Sequence, residues 1–119
     1  MGTAARVTVF GGLGTPERVT ELNAKSIDNL VLGTVNAPWK RTLNARTLAS
    51  LVRRGDVDAW LPHVATFFTE VRPHLIIGFA QAHRIPRHSL VESYEKVRRA
   101  TGESNEQLEQ AFEGLGTAA

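Results

Sequence analysis

The chain contains no cysteine, which excludes a disulfide framework, a thiolate nucleophile and any cysteine-ligated metal centre. That suits a reducing compartment, and a cytoplasmic location is expected. Long apolar runs are lacking too. The longest, Leu75 to Ala80, is broken by Gly78 and falls far short of the ~18 residues that a membrane-spanning helix needs. Residues Met1 to Arg6 lead into no extended apolar stretch, so neither a secretory leader nor a membrane partner is expected. Acidic groups are scarce in the middle of the chain: residues 36–99 carry eleven basic and five acidic groups, a net of +6, whereas residues 100–119 carry four glutamates and no base. The overall net charge of +2 hides this polarity. A basic middle with an acidic tail suits a polyanionic partner, or a tail helix that covers the basic face of a neighbour.

What is present is enough for one domain. A chain of 119 residues buries roughly two-thirds of its unfolded surface on folding, so a core forms without covalent staples. Strand signals are confined to Arg6-Val7-Thr8-Val9-Phe10, which needs a partner strand to be stable, and Gly11-Gly12-Leu13-Gly14 breaks it. Residues 1–14 are read as an extended arm, residues 15–116 as a single helical domain and residues 117–119 as a fraying tail.

Start and stop signals divide the domain into five or six short helices, a compact all-α bundle. Thr15-Pro16-Glu17 supplies an N-cap hydroxyl, a proline at the first helical position and an acid at the positive helix end. The helix it opens holds Val19, Leu22, Ser26 and Leu30 on one stripe, widened by Ile27 and Val31, and Gly33 is expected to end it. Leu43 to Arg54 forms the next, with Leu48, Leu51 and Val52 inward and Gly55 as its C′ residue. Asp56 or Asp58 caps a helix through Val71, with Leu61, Val64, Ala65, Phe68 and Val71 at amphipathic spacing and Pro62 confined to the first turn. His74 to His83, apolar on most sides, is the expected central helix.

Ser89-Leu90-Val91-Glu92 reads as a capping box opening a helix with Leu90, Val91, Tyr94, Val97 and Ala100 inward. Ser104-Asn105-Glu106-Gln107 reads as a second box, opening a helix with Leu108, Ala111, Phe112 and Leu115 inward. Phe68, Leu75, Ile76, Phe79, Leu90, Tyr94 and Val97 are the expected centre of the core.

Catalytic and metal chemistry find little footing. The glycine turn after Val7 to Phe10 has the local order of a phosphate cradle, but its spacing matches neither the dinucleotide fingerprint nor the P-loop. His63, His74, His83 and His88 form no pair one helical turn apart, so no metal site is expected. Ser89 adjoins His88, but a hydroxyl at an N-cap is committed to backbone amides. Asp56 with Asp58, and Glu92 with Glu95, sit at helix starts, where the macrodipole favours acids. No catalytic residue and no cofactor are expected.

Two basic groups carry the functional expectation. Phe79 to Tyr94 places two short helices about a tight turn, with Ala80 small in the first and Ile85 and Leu90 apolar around the turn. The stretch resembles the helix-turn-helix of repressor-type DNA-binding domains. It departs from that pattern at the turn glycine, here Arg84, at the preceding apolar position, here His83, and at Pro86. The resemblance implies that Arg87, His88, Ser89 and Glu92 face a major groove, while Lys96, Arg98 and Arg99 reach phosphates.

The second group is Lys40, Arg41, Arg46, Arg53 and Arg54. Arg46 and Arg53 lie seven apart and share a helix face. Lys40 and Arg41 adjoin Trp39, a combination of base and aromatic used by nucleic-acid surfaces. The plainer alternative is that Trp39 plugs the core while the arginines cap helix ends or pair with the acidic tail. The expectation is a non-enzymatic nucleic-acid-associated protein, a small regulator or a subunit of a nucleoprotein complex, with DNA and RNA both open. The alternative is an assembly subunit that contacts other protein chains, further copies of itself included, without nucleic acid.

Overall fold

A computed structural model describes the backbone of residues 16–118 and the side chains of residues 24–115. It holds six α-helices, α1 (Pro16–Asn36), α2 (Ala45–Arg54), α3 (Leu61–Glu70), α4 (Pro73–Ala82), α5 (Arg87–Thr101) and α6 (Glu106–Ala118), with a 3-10 turn at Asp58–Trp60 leading into α3. Among the described residues there is no strand, and no helix is long and apolar enough to cross a membrane. The strand and glycine break expected at residues 6–14 and the Thr15 cap lie outside the described residues. α1 lies across α3 and α4, α5 packs on α2, α3 and α6, and α4 closes onto α6.

Local chemistry accounts for most helix boundaries. Pro62 and Pro73 sit in first turns, where a missing amide hydrogen costs nothing. Asn44 caps α2, its side chain accepting from the Thr47 amide at 2.8 Å. Gly55 ends the helix at φ 70°, a left-handed conformation that glycine adopts without strain.

Five expected boundaries are corrected. α2 begins at Ala45 rather than Leu43, because Asn44 is its cap. α3 begins at Leu61 after the 3-10 turn, and neither Asp56 nor Asp58 caps it. α1 passes through Gly33 to Asn36 because Val31 and Val35, one turn apart, are both fully buried and keep the same face on the core. α5 begins at Arg87, with Pro86 as its extended N-cap. Ser89 is therefore inside the first turn and buried, and it caps nothing. α6 is capped by Asn105 and not Ser104, since Asn105 Oδ1 accepts from the Leu108 amide at 3.1 Å while its Nδ2 donates to the Phe68 carbonyl at 2.9 Å. A tertiary bond decides between two adjacent residues with similar capping chemistry.

The stripe on α1 is also rotated from the expected one. Val31 and Val35 face the core with Ile27 packed beside them, and Leu30 is 56% exposed. A Cβ built on Gly33 would meet nothing within 4 Å. Gly33→Ala should therefore stabilise the protein by about 0.8–1 kcal/mol through helix propensity alone. A urea unfolding midpoint equal to or below that of the native chain would contradict an uninterrupted helix here.

The core is organised around an aromatic row. Phe79 of α4 meets Phe67 of α3 at 5.4 Å, Phe67 meets Phe68 at 5.0 Å, Phe68 meets Tyr94 of α5 at 5.7 Å, and Tyr94 meets Phe112 of α6 at 5.5 Å. All four contacts are edge-on, the arrangement that aromatic quadrupoles favour. Six of the seven expected core residues are buried; Leu75 is only half-buried because α4 turns Ile76, Phe79 and Ala80 inward. α4 is thus one-sided rather than buried all round, and Ala82 is exposed.

Tyr94 closes the row with a polar end. Its hydroxyl donates to Glu109 Oε2 at 2.5 Å and accepts from the Asn105 amide at 2.8 Å. Burial, and then the bond to Glu109, raises its pKa above the ordinary value of about 10. The unfolded chain releases this proton near the ordinary value while the folded chain still holds it. Its contribution to stability is therefore intact below pH ~10 and is lost as pH rises through the raised folded value. Tyr94 is the only tyrosine, so phenolate absorbance should titrate at higher pH in the folded protein than in urea; coincident curves would refute the assignment.

Candidate nucleic-acid interface

α2 has the sequence ARTLASLVRR, three arginines and no acid in ten residues. Burying Leu48, Ala49, Leu51 and Val52 turns Arg46, Arg53 and Arg54 outward. The helix is held on α5 by a buried bond, Ser93 Oγ donating to the Val52 carbonyl at 2.6 Å. That docking gathers charge from three parts of the chain. Arg53 donates to the His83 carbonyl at 2.7 Å, joining the end of α2 to the turn that carries Arg84. Lys96 Nζ donates to the Gly55 carbonyl at 2.8 Å. Arg54 stands 3.8 Å from Asp56, with both groups more than half exposed, so the pair is weak.

α4 and α5 are joined by a tight turn over residues 83–86. Arg84 adopts φ 58°, the left-handed backbone that a glycine supplies in the helix-turn-helix motif. Ala80, Ile85 and Leu90 are buried, as the resemblance implies. Where the motif has an apolar residue, His83 is instead held by Asp28 Oδ1 at 2.8 Å and packed at a tilt against Phe79, with ring centroids 4.4 Å apart.

α5 presents less to a groove than expected. Ser89 faces the core. Arg87 Nε donates to the Phe112 carbonyl at 3.0 Å, bracing α6. Arg98 is gripped by Glu95 through two bonds of 3.0 and 2.6 Å, which raises its already high pKa and offsets its charge. His88, Glu92 and Arg99 remain exposed, so the outward face mixes acids with bases. Of the eleven expected residues, Arg46, Arg53 and Arg54 are exposed on α2, the turn with Arg84 and the end of Lys96 are bonded near its C-terminal end, Arg87 and Arg98 are engaged elsewhere, and His88 and Arg99 are exposed on α5.

Lys40 and Arg41 belong to a second patch. The connector between α1 and α2 is pinned by Asn36, whose Oδ1 accepts from the Leu43 amide and whose Nδ2 donates to the Leu43 carbonyl, both at 2.9 Å. Between these ends it carries Trp39, which is 39% exposed and does not plug the core. The Trp39 indole donates to Thr66 Oγ1 at 3.3 Å. The Arg41 guanidinium lies 4.0 Å over the ring of Trp60. His63, buried in α3, sits 5.7 Å from Trp39 and 5.1 Å from Trp60, and its Nε2 donates to the Arg41 carbonyl at 2.8 Å. Together these groups border a cleft of about 270 Å³. Trp60 and His63 were not legible as site residues, because only the Arg41 carbonyl, the Arg41 guanidinium and ring contacts join them to the connector.

Among the described residues no ion pair joins an arginine of α2 to a glutamate of residues 100–119, and no cluster of three His, Asp or Glu side chains has the makings of a metal site. No protein-family model, curated protein or solved structure matches the chain.

Proposed function

We propose that the protein is a non-enzymatic nucleic-acid-associated domain that tracks a phosphate backbone with the strip Arg46, Arg53, Arg54, Arg84 and Lys96. The observation that carries this reading is the acid-free outward face of α2, extended by the bonds that bring the Arg84 turn and Lys96 to its C-terminal end. In this reading three segments distant in sequence contribute cations to one surface, where charges of one sign reinforce one another's field. The outward face of α5, with Glu92 and Glu95 among its bases, supports base reading in a groove less well. Phosphate tracking is accordingly favoured over sequence readout, since phosphate contacts position and base contacts specify.

Fluorescence anisotropy with labelled duplex and single strands across a salt series tests the proposal. Four or five phosphate contacts predict a duplex slope of about −3.5 to −4.5 in log affinity against log salt. Binding weaker than about 10⁻⁴ M at physiological salt, or binding indifferent to salt, would overturn it and favour the assembly-subunit reading.

A further inference from the structure

We propose that the cleft between Trp39, Arg41, Trp60 and His63 is a nucleobase-stacking pocket, which makes unpaired nucleic acid the preferred occupant. The inference rests on the phosphate-tracking reading for its flanking contacts and adds a feature that reading does not require.

Four observations converge. Trp39 is one of two large hydrophobic side chains among the described residues that stand exposed, and its indole is fixed by the bond to Thr66 rather than free to fold inward. Stacking of bases on such rings is tolerant of sequence and depends on the base being unpaired. Positive charge belongs to one of the two depressions that Trp39 lines: the cleft shared with Trp60 and Pro62 includes Lys40 and Arg41 and no acid, whereas the other includes Glu70 and no base. The volume, about 270 Å³, lies just under the ~300 Å³ at which drug-sized pockets begin, a fit for one ring system.

The fourth observation is a missing partner. His63 is 6% exposed and lines the cleft. Because a carbonyl only accepts, its bond to Arg41 places the proton on Nε2 and leaves Nδ1 as an acceptor. That Nδ1 is the one buried side-chain polar atom among the described residues without a hydrogen-bond partner. The atom is itself buried, in a residue that lines a cleft of cations and aromatics, and leaving such an acceptor unsatisfied costs free energy that a donor relieves.

Both tryptophans of the chain belong to this cleft, so intrinsic tryptophan fluorescence reports on it alone. Titration with an oligothymidylate should quench that fluorescence, while inorganic polyphosphate and a duplex should bind the basic strip with little quenching. Trp39→Ala should weaken oligothymidylate binding roughly 5- to 150-fold, the equivalent of one lost stack, and leave polyphosphate and duplex affinity unchanged. Trp39→Phe should restore most of the loss, which separates stacking from misfolding. Equal oligothymidylate affinity in the native chain and Trp39→Ala, with salt-dependent binding retained, would overturn the pocket and leave the strip standing. Quenching by oligothymidylate with no salt-dependent binding of any probe would do the reverse.

Discussion

Phe79→Ala is expected to cost about 3–5 kcal/mol of folding stability. Phe79 is fully buried and edge-on to Phe67, and it is the first member of the aromatic row that links α4, α3, α5 and α6. Truncation removes the transfer free energy of the ring and leaves a cavity between helices fixed by their own packing, so little collapse can offset it. The His83 ring, 4.4 Å away and held by Asp28, would lose its support as well. At about 4 °C per kcal/mol for a chain of 119 residues, the melting temperature should fall by about 12–20 °C. Far-UV circular dichroism during heating measures this directly. An unchanged midpoint would place Phe79 at an interface between chains instead of in the core.

The double substitution Arg46→Glu with Arg53→Glu should weaken duplex binding by at least a hundred-fold at about 0.05 M salt. Each phosphate contact carries a slope of about 0.9, so two lost contacts remove roughly two log units there, and the new carboxylates add repulsion. The salt slope should shrink by about 1.8. The effect should be the same for every sequence, as expected of groups that touch phosphate and not base edges. Arg53 also donates to the His83 carbonyl, so unfolding of the double variant should be followed in parallel. A loss of about 1 kcal/mol is the usual scale for one such hydrogen bond and would not explain a hundred-fold drop in binding. Native affinity in the double variant would remove α2 from the interface.

The bundle was legible because helix punctuation and periodicity agreed. Pro62, Pro73 and Gly55 fell where first turns and a C′ residue require them, and the α2 stripe of Leu48, Leu51 and Val52 is buried as its spacing implied. The errors have a common physical origin in tertiary contacts overriding local signals. Gly33 looked like a stop, yet Val35 beyond it has a core position to fill. Ser89 looked like a cap, yet Pro86 had already set the entry angle of α5. Amphipathic spacing points to Phe68 and not to Phe67, whereas α3 lies between α1 and α5 and buries both.

The candidate site divides in the same way. The seven-residue spacing of Arg46 and Arg53 was visible in the sequence. That Arg84 and Lys96 join them depends on Ser93, a residue with no surface signature of being buried, which bonds the Val52 carbonyl and seats α2 on α5. The cleft was invisible beyond Trp39, Lys40 and Arg41, because the bond from His63 goes to a backbone atom that no residue pattern encodes.

The two bonds from Asn36 to Leu43 have a consequence for how fast the connector can respond. Fixing a residue in one backbone well costs about 1–2 kcal/mol of conformational entropy. A loose loop would pay that at each encounter, whereas the residues between Asn36 and Leu43 are held at both ends once the chain has folded. In the proposed pocket, Trp39, Lys40 and Arg41 would therefore be in place before a ligand arrives. Asn36→Ala should act mainly on the association rate, slowing capture by a loop that must first search for its shape, as rigidifying a binding segment acts by removing such a search.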